Sequence, residues 1–67
     1  MAITLKAARV NAGLSQLSAA RLLGVTADTL RNYEKYKSFP EVPTVAKMIE
    51  LYGLGYEDLI FLPTGHG

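Results

Sequence analysis

The sequence predicts an all-α domain of five short helices, and three observations carry that prediction. Residues 15–34, SQLSAARLLGVTADTLRNYE, place two helix-starting residues, Ser15 and Thr26, on either side of Gly24, which can end a helix in a left-handed turn. Further on, Val45, Met48, Ile49 and Tyr52 recur at i, i+3, i+4, i+7, the apolar stripe of an amphipathic helix. The strand-like alternation, repeats and linkers that would suggest another class are missing from the pattern.

The elements follow in order. Thr4 caps a first helix, Leu5 to Ala12, with Leu5 and Ala8 facing inward and Gly13 ending it. Leu14 packs back onto the core before Ser15 starts a second helix, Gln16 to Leu23. Val25 plugs the corner from inside, and Thr26 caps a third helix from Ala27 to about Lys35. Ala20 is small where the two helices must approach closely, and Leu23, Val25 and Leu30 form the seam between them. That arrangement is a helix-turn-helix, whose second helix is shaped to enter the major groove of DNA.

After it, residues 36–41 break the helical pattern and read as a loop. Pro43 suits the first turn of a fourth helix, where a missing N–H is no loss, and Gly53 stops that helix. Glu57 to Leu62 is expected as a fifth short helix, with Leu54, Tyr56 and Leu59 closing the bottom of the core. Residues 1–62 then form one domain and residues 63–67 a frayed tail.

Composition narrows the function classes. At 67 residues the chain is one small domain, and half of it is apolar with only 19% charged, which is globular composition. Without cysteine, disulfides and thiolate metal sites are excluded, and the single His66 lies between glycines in the tail. No cofactor, metal or small-molecule substrate is expected. The apolar runs are too short for a membrane span or a signal peptide, so a cytoplasmic location is expected.

Net charge is only +1, but four of the seven basic residues are Arg31, Lys35, Lys37 and Lys47. The acids Glu41, Glu50, Glu57 and Asp58 gather toward the C-terminal end, so local positive charge is available to phosphates.

The landmarks Leu5, Arg9, Gly13-Leu14-Ser15-Gln16, Ala20, Leu23-Gly24-Val25-Thr26, Leu30, Tyr33-Glu34, Pro40, Gly53 and Glu57-Asp58-Leu59 occur in this order without gaps. In this the chain resembles the Cro and repressor N-terminal domain (XRE-like) family of phage and bacterial regulators, from about Leu5 to Leu59. The resemblance implies a lambda-repressor-like fold. It also implies that Arg9 and Glu34 form an ion pair tying helix one to helix three. Gln16 would then lie against the DNA backbone at a helix N-terminus, where free N–H groups favour a phosphate.

Base edges would be met by Ala27, Asp28 and Asn32. Asn32 suits adenine, Ala27 or the Thr26 methyl suits a thymine methyl, and Asp28 can accept from cytosine or simply favour the helix dipole. Thr26, Thr29, Arg31, Lys35 and Lys37 are backbone-contact candidates, with Arg31 also able to swing to a guanine edge.

Two departures from the family pattern stand out. Tyr36 occupies a position that is commonly glycine, which is costly if the backbone there needs positive φ. Phe39 replaces a polar or basic residue in the same loop. Leu17 and Leu22, at normally polar positions of helix two, are either isolated exposed leucines or a protein-binding surface.

The leading expectation is a Cro-like repressor that binds double-stranded DNA as a homodimer, with Leu59, Ile60, Phe61, Leu62 and Phe39 as dimer-contact candidates, Leu59 serving equally well to close the core. The alternative is a protein-interaction module on the same scaffold, anti-repressor or antitoxin-like, that binds a second regulator protein through Leu17, Leu22, Tyr36 and Phe39. An enzyme is disfavoured, since no recognisable catalytic motif is present.

Overall fold

Four α-helices make up the body of the domain in the computed structural model, which describes residues 2–61. They are α1 (Leu5–Asn11), α2 (Gln16–Leu23), α3 (Ala27–Glu34) and α4 (Val42–Tyr52). Each of the first three starts where the sequence offers a hydroxyl. Thr4, Ser15 and Thr26 accept hydrogen bonds from the backbone N–H groups of Ala7, Ser18 and Thr29 at 3.1, 3.0 and 3.1 Å. α4 starts without a side-chain cap and instead carries Pro43 in its first turn.

The core is small and continuous. Leu5, Ala8, Ala19, Ala20, Leu23, Leu30, Met48, Tyr52 and Leu59 are buried together, with Leu14, Val25, Tyr33 and Ile49 packed at its edge. Ala19 and Ala20 let α2 approach its neighbours closely, because a larger side chain there would hold the helix backbones apart. Among the described residues, no helix is long and apolar enough to cross a membrane.

The fifth helix is a correction. Only Tyr56–Asp58 is helical there, as one 3₁₀ turn, and the chain then extends. Leu59–Ile60 forms a strand, β2, parallel to β1 (Ile3–Thr4), with Ile3 opposite Leu59 and Thr4 opposite Ile60. The all-α expectation therefore gives way to a mostly helical fold closed by a minimal sheet. A helix this short gains too few internal hydrogen bonds to offset its ordering, whereas the extended residues just before α1 offer a ready backbone partner. Tyr56 is a second correction. It is exposed rather than closing the core, and it stacks on Phe61 with ring centroids 5.1 Å apart. Leu62 and the expected tail, 63–67 with His66, lie outside the described residues.

The end of α3 carries the main backbone cost. Its last carbonyls are closed by Tyr36 N–H donating to Tyr33 O at 3.1 Å and Lys37 N–H donating to Asn32 O at 2.9 Å. That paired closure needs a left-handed residue between them. α1, α2 and α4 end with Gly13, Gly24 and Gly53 at positive φ, but α3 uses Tyr36 at φ 60°. The tyrosine offsets the strain through its side chain. Its phenol donates to the Ile60 carbonyl at 2.7 Å, joining the end of α3 to β2. Tyr36 is thus half-buried within the domain and contributes little free surface to a partner.

Substitutions at Tyr36 separate strain from linkage. Tyr36→Ala keeps the strain and loses the side chain, so it should destabilise more than Tyr36→Gly, by about 1 kcal/mol. Tyr36→Phe removes only the hydrogen bond and should cost about 0.5–1.5 kcal/mol. Urea unfolding of the three variants gives the order directly.

Candidate nucleic-acid interface

α3 divides its residues between two faces. Leu30 is buried and Ala27, Thr29, Tyr33 and Glu34 are half-buried, while Asp28, Arg31, Asn32 and Lys35 are exposed. Those four fall at i, i+3, i+4 and i+7, so they form one outward stripe, polar throughout.

Behind that stripe an ion pair sets how α3 is held. Arg9 Nε donates to Glu34 Oε2 at 2.7 Å and Nη2 donates to Oε1 at 3.3 Å. Nη1 donates to the Leu14 carbonyl at 2.9 Å, in the turn between α1 and α2. Gln16 adds a fourth bond, its Nε2 donating to Glu34 Oε1 at 3.1 Å. The two charged side chains are only 9% and 4% exposed, so the pair is nearly out of water. The resemblance-based pairing of Arg9 with Glu34 is therefore present in the structure.

Gln16 stands at the N-terminus of α2, and its bond to Glu34 fixes the amide beside that helix end. Around it lies a notch of about 250 Å³ bordered by Lys6, Gln16, Arg31, Glu34 and Lys35. Three of these five are basic, while the Glu34 carboxylate is already engaged by Arg9 and Gln16. Lys6 is the member that sequence reading missed. It lies ten residues before Gln16, and only the packing of α1 beside α3 brings it there.

The other expected contacts are distributed unevenly. Thr26 is occupied by capping, since its hydroxyl accepts from Thr29 N–H and donates to Thr29 Oγ1 at 2.8 Å. That leaves the Thr29 hydroxyl proton unspent. Lys35 and Lys37 are exposed at the end of α3. Asp28 and Arg31 are bonded to each other, Nη2 to Oδ1 at 2.7 Å, with side chains 80% and 52% exposed. An exposed pair of this kind contributes at most about 1 kcal/mol to stability, so its effect is mainly on side-chain direction.

The apolar candidates do not form one surface. Leu17 and Leu22 are both exposed, but five residues apart on α2 they point about 140° from each other. Phe39 and Phe61 do come together, bordering with Pro40, Val42, Val45 and Tyr56 an apolar groove of about 410 Å³. Ile60 is half-buried in β2, with its carbonyl bound by Tyr36.

Two capped helices meeting at a glycine corner, with the second turning a polar stripe outward, define a helix-turn-helix protein of the DNA-binding regulator class. The family model described as "Helix-turn-helix domain" matches residues 1–60, and the chain belongs to that family. This agrees with its resemblance to Cro and repressor N-terminal domains. No curated protein and no solved structure matches the chain.

Tyr52 feels the charges of the ion pair, and its buried hydroxyl has no hydrogen-bond partner among the described residues. Burial, assisted by the Glu34 charge, pushes its pKa from 10.0 up to about 12. Between those values the unfolded chain releases the proton while the folded chain keeps it, so stability falls as pH rises from 10 to 12. Tyr52→Phe should lie within about 1 kcal/mol of wild type near neutrality, because it removes an unsatisfied group. Chemical denaturation across that alkaline range should show a shallower decline in the variant.

Truncating the ion pair should cost far more. Arg9→Ala leaves Glu34 buried without its main partner and is expected to lose about 3–5 kcal/mol. The double variant Arg9→Met/Glu34→Leu should be more stable than Arg9→Ala alone, as thermal unfolding would show.

Proposed function

We propose that this protein is a Cro-like transcriptional repressor that reads an operator through α3. The observation that carries this reading is the exposed stripe Asp28, Arg31, Asn32 and Lys35 on the second helix of the motif. Asn32 is the adenine reader, since its amide matches the N6 and N7 positions of that base bidentately. Ala27, half-buried at the start of α3, is left with a glancing contact to a thymine methyl.

Gln16, Thr29, Lys35 and Lys37 hold the phosphates on either side, and Lys6 joins them through the notch it shares with Gln16. One reading helix spans only a few base pairs. The repressor therefore acts as a homodimer, two copies meeting at the groove of Phe39 and Phe61 and setting two α3 helices about 34 Å apart.

The same groove favours a second reading, a module that binds another regulator protein through Phe39, Val42, Tyr56 and Phe61. The two readings separate on salt. Phosphate contacts make affinity fall steeply with ionic strength, whereas an apolar protein contact is nearly indifferent to it.

Selection of bound sequences from a random duplex pool, at two salt concentrations, tests the proposal. Wild type should enrich a two-fold-symmetric site. Asn32→Ala should lose its base preference at one position per half-site, worth about 1–3 kcal/mol. Failure of wild type to enrich any sequence would reject operator reading and favour the protein-binding module.

A further inference from the structure

The ion pair on the exposed face of α3 has a chemical consequence beyond its small effect on stability. Asp28 and Arg31 are three residues apart, and the 2.7 Å bond draws the guanidinium back over the first turn of the helix. Resting on the reading of α3 as the base-reading helix, we propose that Arg31 reads a guanine and that Asp28 is the positioning residue that makes it do so.

The argument is electrostatic. Arginine has five N–H donors in a planar fork, and the bond to Asp28 uses one of them, on Nη2. A parallel pair of donors remains for the O6 and N7 acceptors of guanine in the major groove. A phosphate makes a poorer partner for this arginine. It carries a full negative charge, and the Asp28 carboxylate beside the guanidinium repels it while partly neutralising the cation that would attract it. The guanine edge is rich in acceptors but neutral, so it keeps the hydrogen bonds without the repulsion. The same pairing also explains how an acid can stand on a face turned toward DNA. Alone, an exposed carboxylate there would oppose binding; paired, it orients the arginine and its charge is offset. Lys35, on the same stripe and with no acid partner among the described residues, keeps the phosphate role.

The test is selection from a random duplex pool with wild type, Arg31→Ala, Arg31→Lys, Asp28→Ala and the double variant Asp28→Ala/Arg31→Ala. Unfolding midpoints are measured alongside. Wild type is expected to prefer guanine at one position of each half-site by about 5- to 150-fold. Arg31→Ala and Asp28→Ala should each lose that preference, and the double variant should be no worse in selectivity than Arg31→Ala. Arg31→Lys, which keeps the charge but not the fork, should lose it too, with salt dependence close to wild type. Unfolding midpoints should stay close to wild type throughout, since the pair is exposed.

Four results would overturn the proposal. In one, Arg31→Ala weakens every sequence equally and reduces the salt slope by about one, which marks a phosphate contact. In another, Asp28→Ala leaves the guanine preference intact, or shifts preference where Arg31→Ala does not. In the third, wild type enriches no site at all, which removes the base-reading role of α3 itself. In the fourth, wild type enriches a site but Arg31 is silent, which removes only the guanine assignment.

Discussion

The buried pair of Arg9 and Glu34 is the constraint on which the rest of the domain is arranged. One guanidinium reaches three parts of the chain, α1 from which it comes, the carbonyl of Leu14 in the following turn, and the carboxylate at the end of α3. Gln16 adds the start of α2 to the same carboxylate. The planar fork of arginine admits few geometries, so satisfying all these bonds sets the angle and depth at which α3 lies. A buried pair contributes little net stability over an apolar substitute, because desolvation offsets the attraction. Its effect here is on orientation, while the apolar cluster around Leu5, Leu23, Leu30 and Met48 supplies the driving force.

Orientation matters because α3 serves two environments at once. Leu30 must remain in the core, which leaves Asp28, Arg31, Asn32 and Lys35 no choice but to face outward. A rotation of the helix that hid one of them would expose Leu30 or pull Glu34 from Arg9. The outward face of α3 is therefore held by the packing behind it. Near-neutral total charge is compatible with this design, since Lys6, Arg31 and Lys35 gather around one notch and Glu34, although close to it, is already engaged.

Tyr36 joins this arrangement to the chain termini. The backbone accepts a left-handed tyrosine, and in return the phenol grips the Ile60 carbonyl in β2, which is itself paired with the residues before α1. A glycine would satisfy the turn with less strain but would leave α3 and β2 unconnected. Phe61 continues from that strand into the groove bordered by Phe39, so the loop after α3, the strand pair and the apolar groove form one mechanical neighbourhood.

Much of this was legible in the sequence because it depends on neighbours within a turn. The capping hydroxyls Thr4, Ser15 and Thr26, the ends at Gly13, Gly24 and Gly53, and the stripe of α4 are local signals. Local chemistry alone determines them. The strain at Tyr36 was signalled only by the family pattern, in which that position is commonly glycine. Pairings between distant segments were not legible. A two-residue strand has no periodicity, so Leu59–Ile60 read as helix until Ile3 and Thr4 were beside it. Tyr56 looked like core by composition but is exposed and stacks on Phe61, while Leu59 is buried. Lys6 entered the notch with Gln16 only through the packing of α1, and the groove of Phe39 and Phe61 exists only where the loop and the C-terminal strand meet. The sequence by itself determined where helices begin, end and turn their apolar sides. The tertiary structure decided which surfaces those helices jointly build, since that depends on side chains brought together from far apart in the chain.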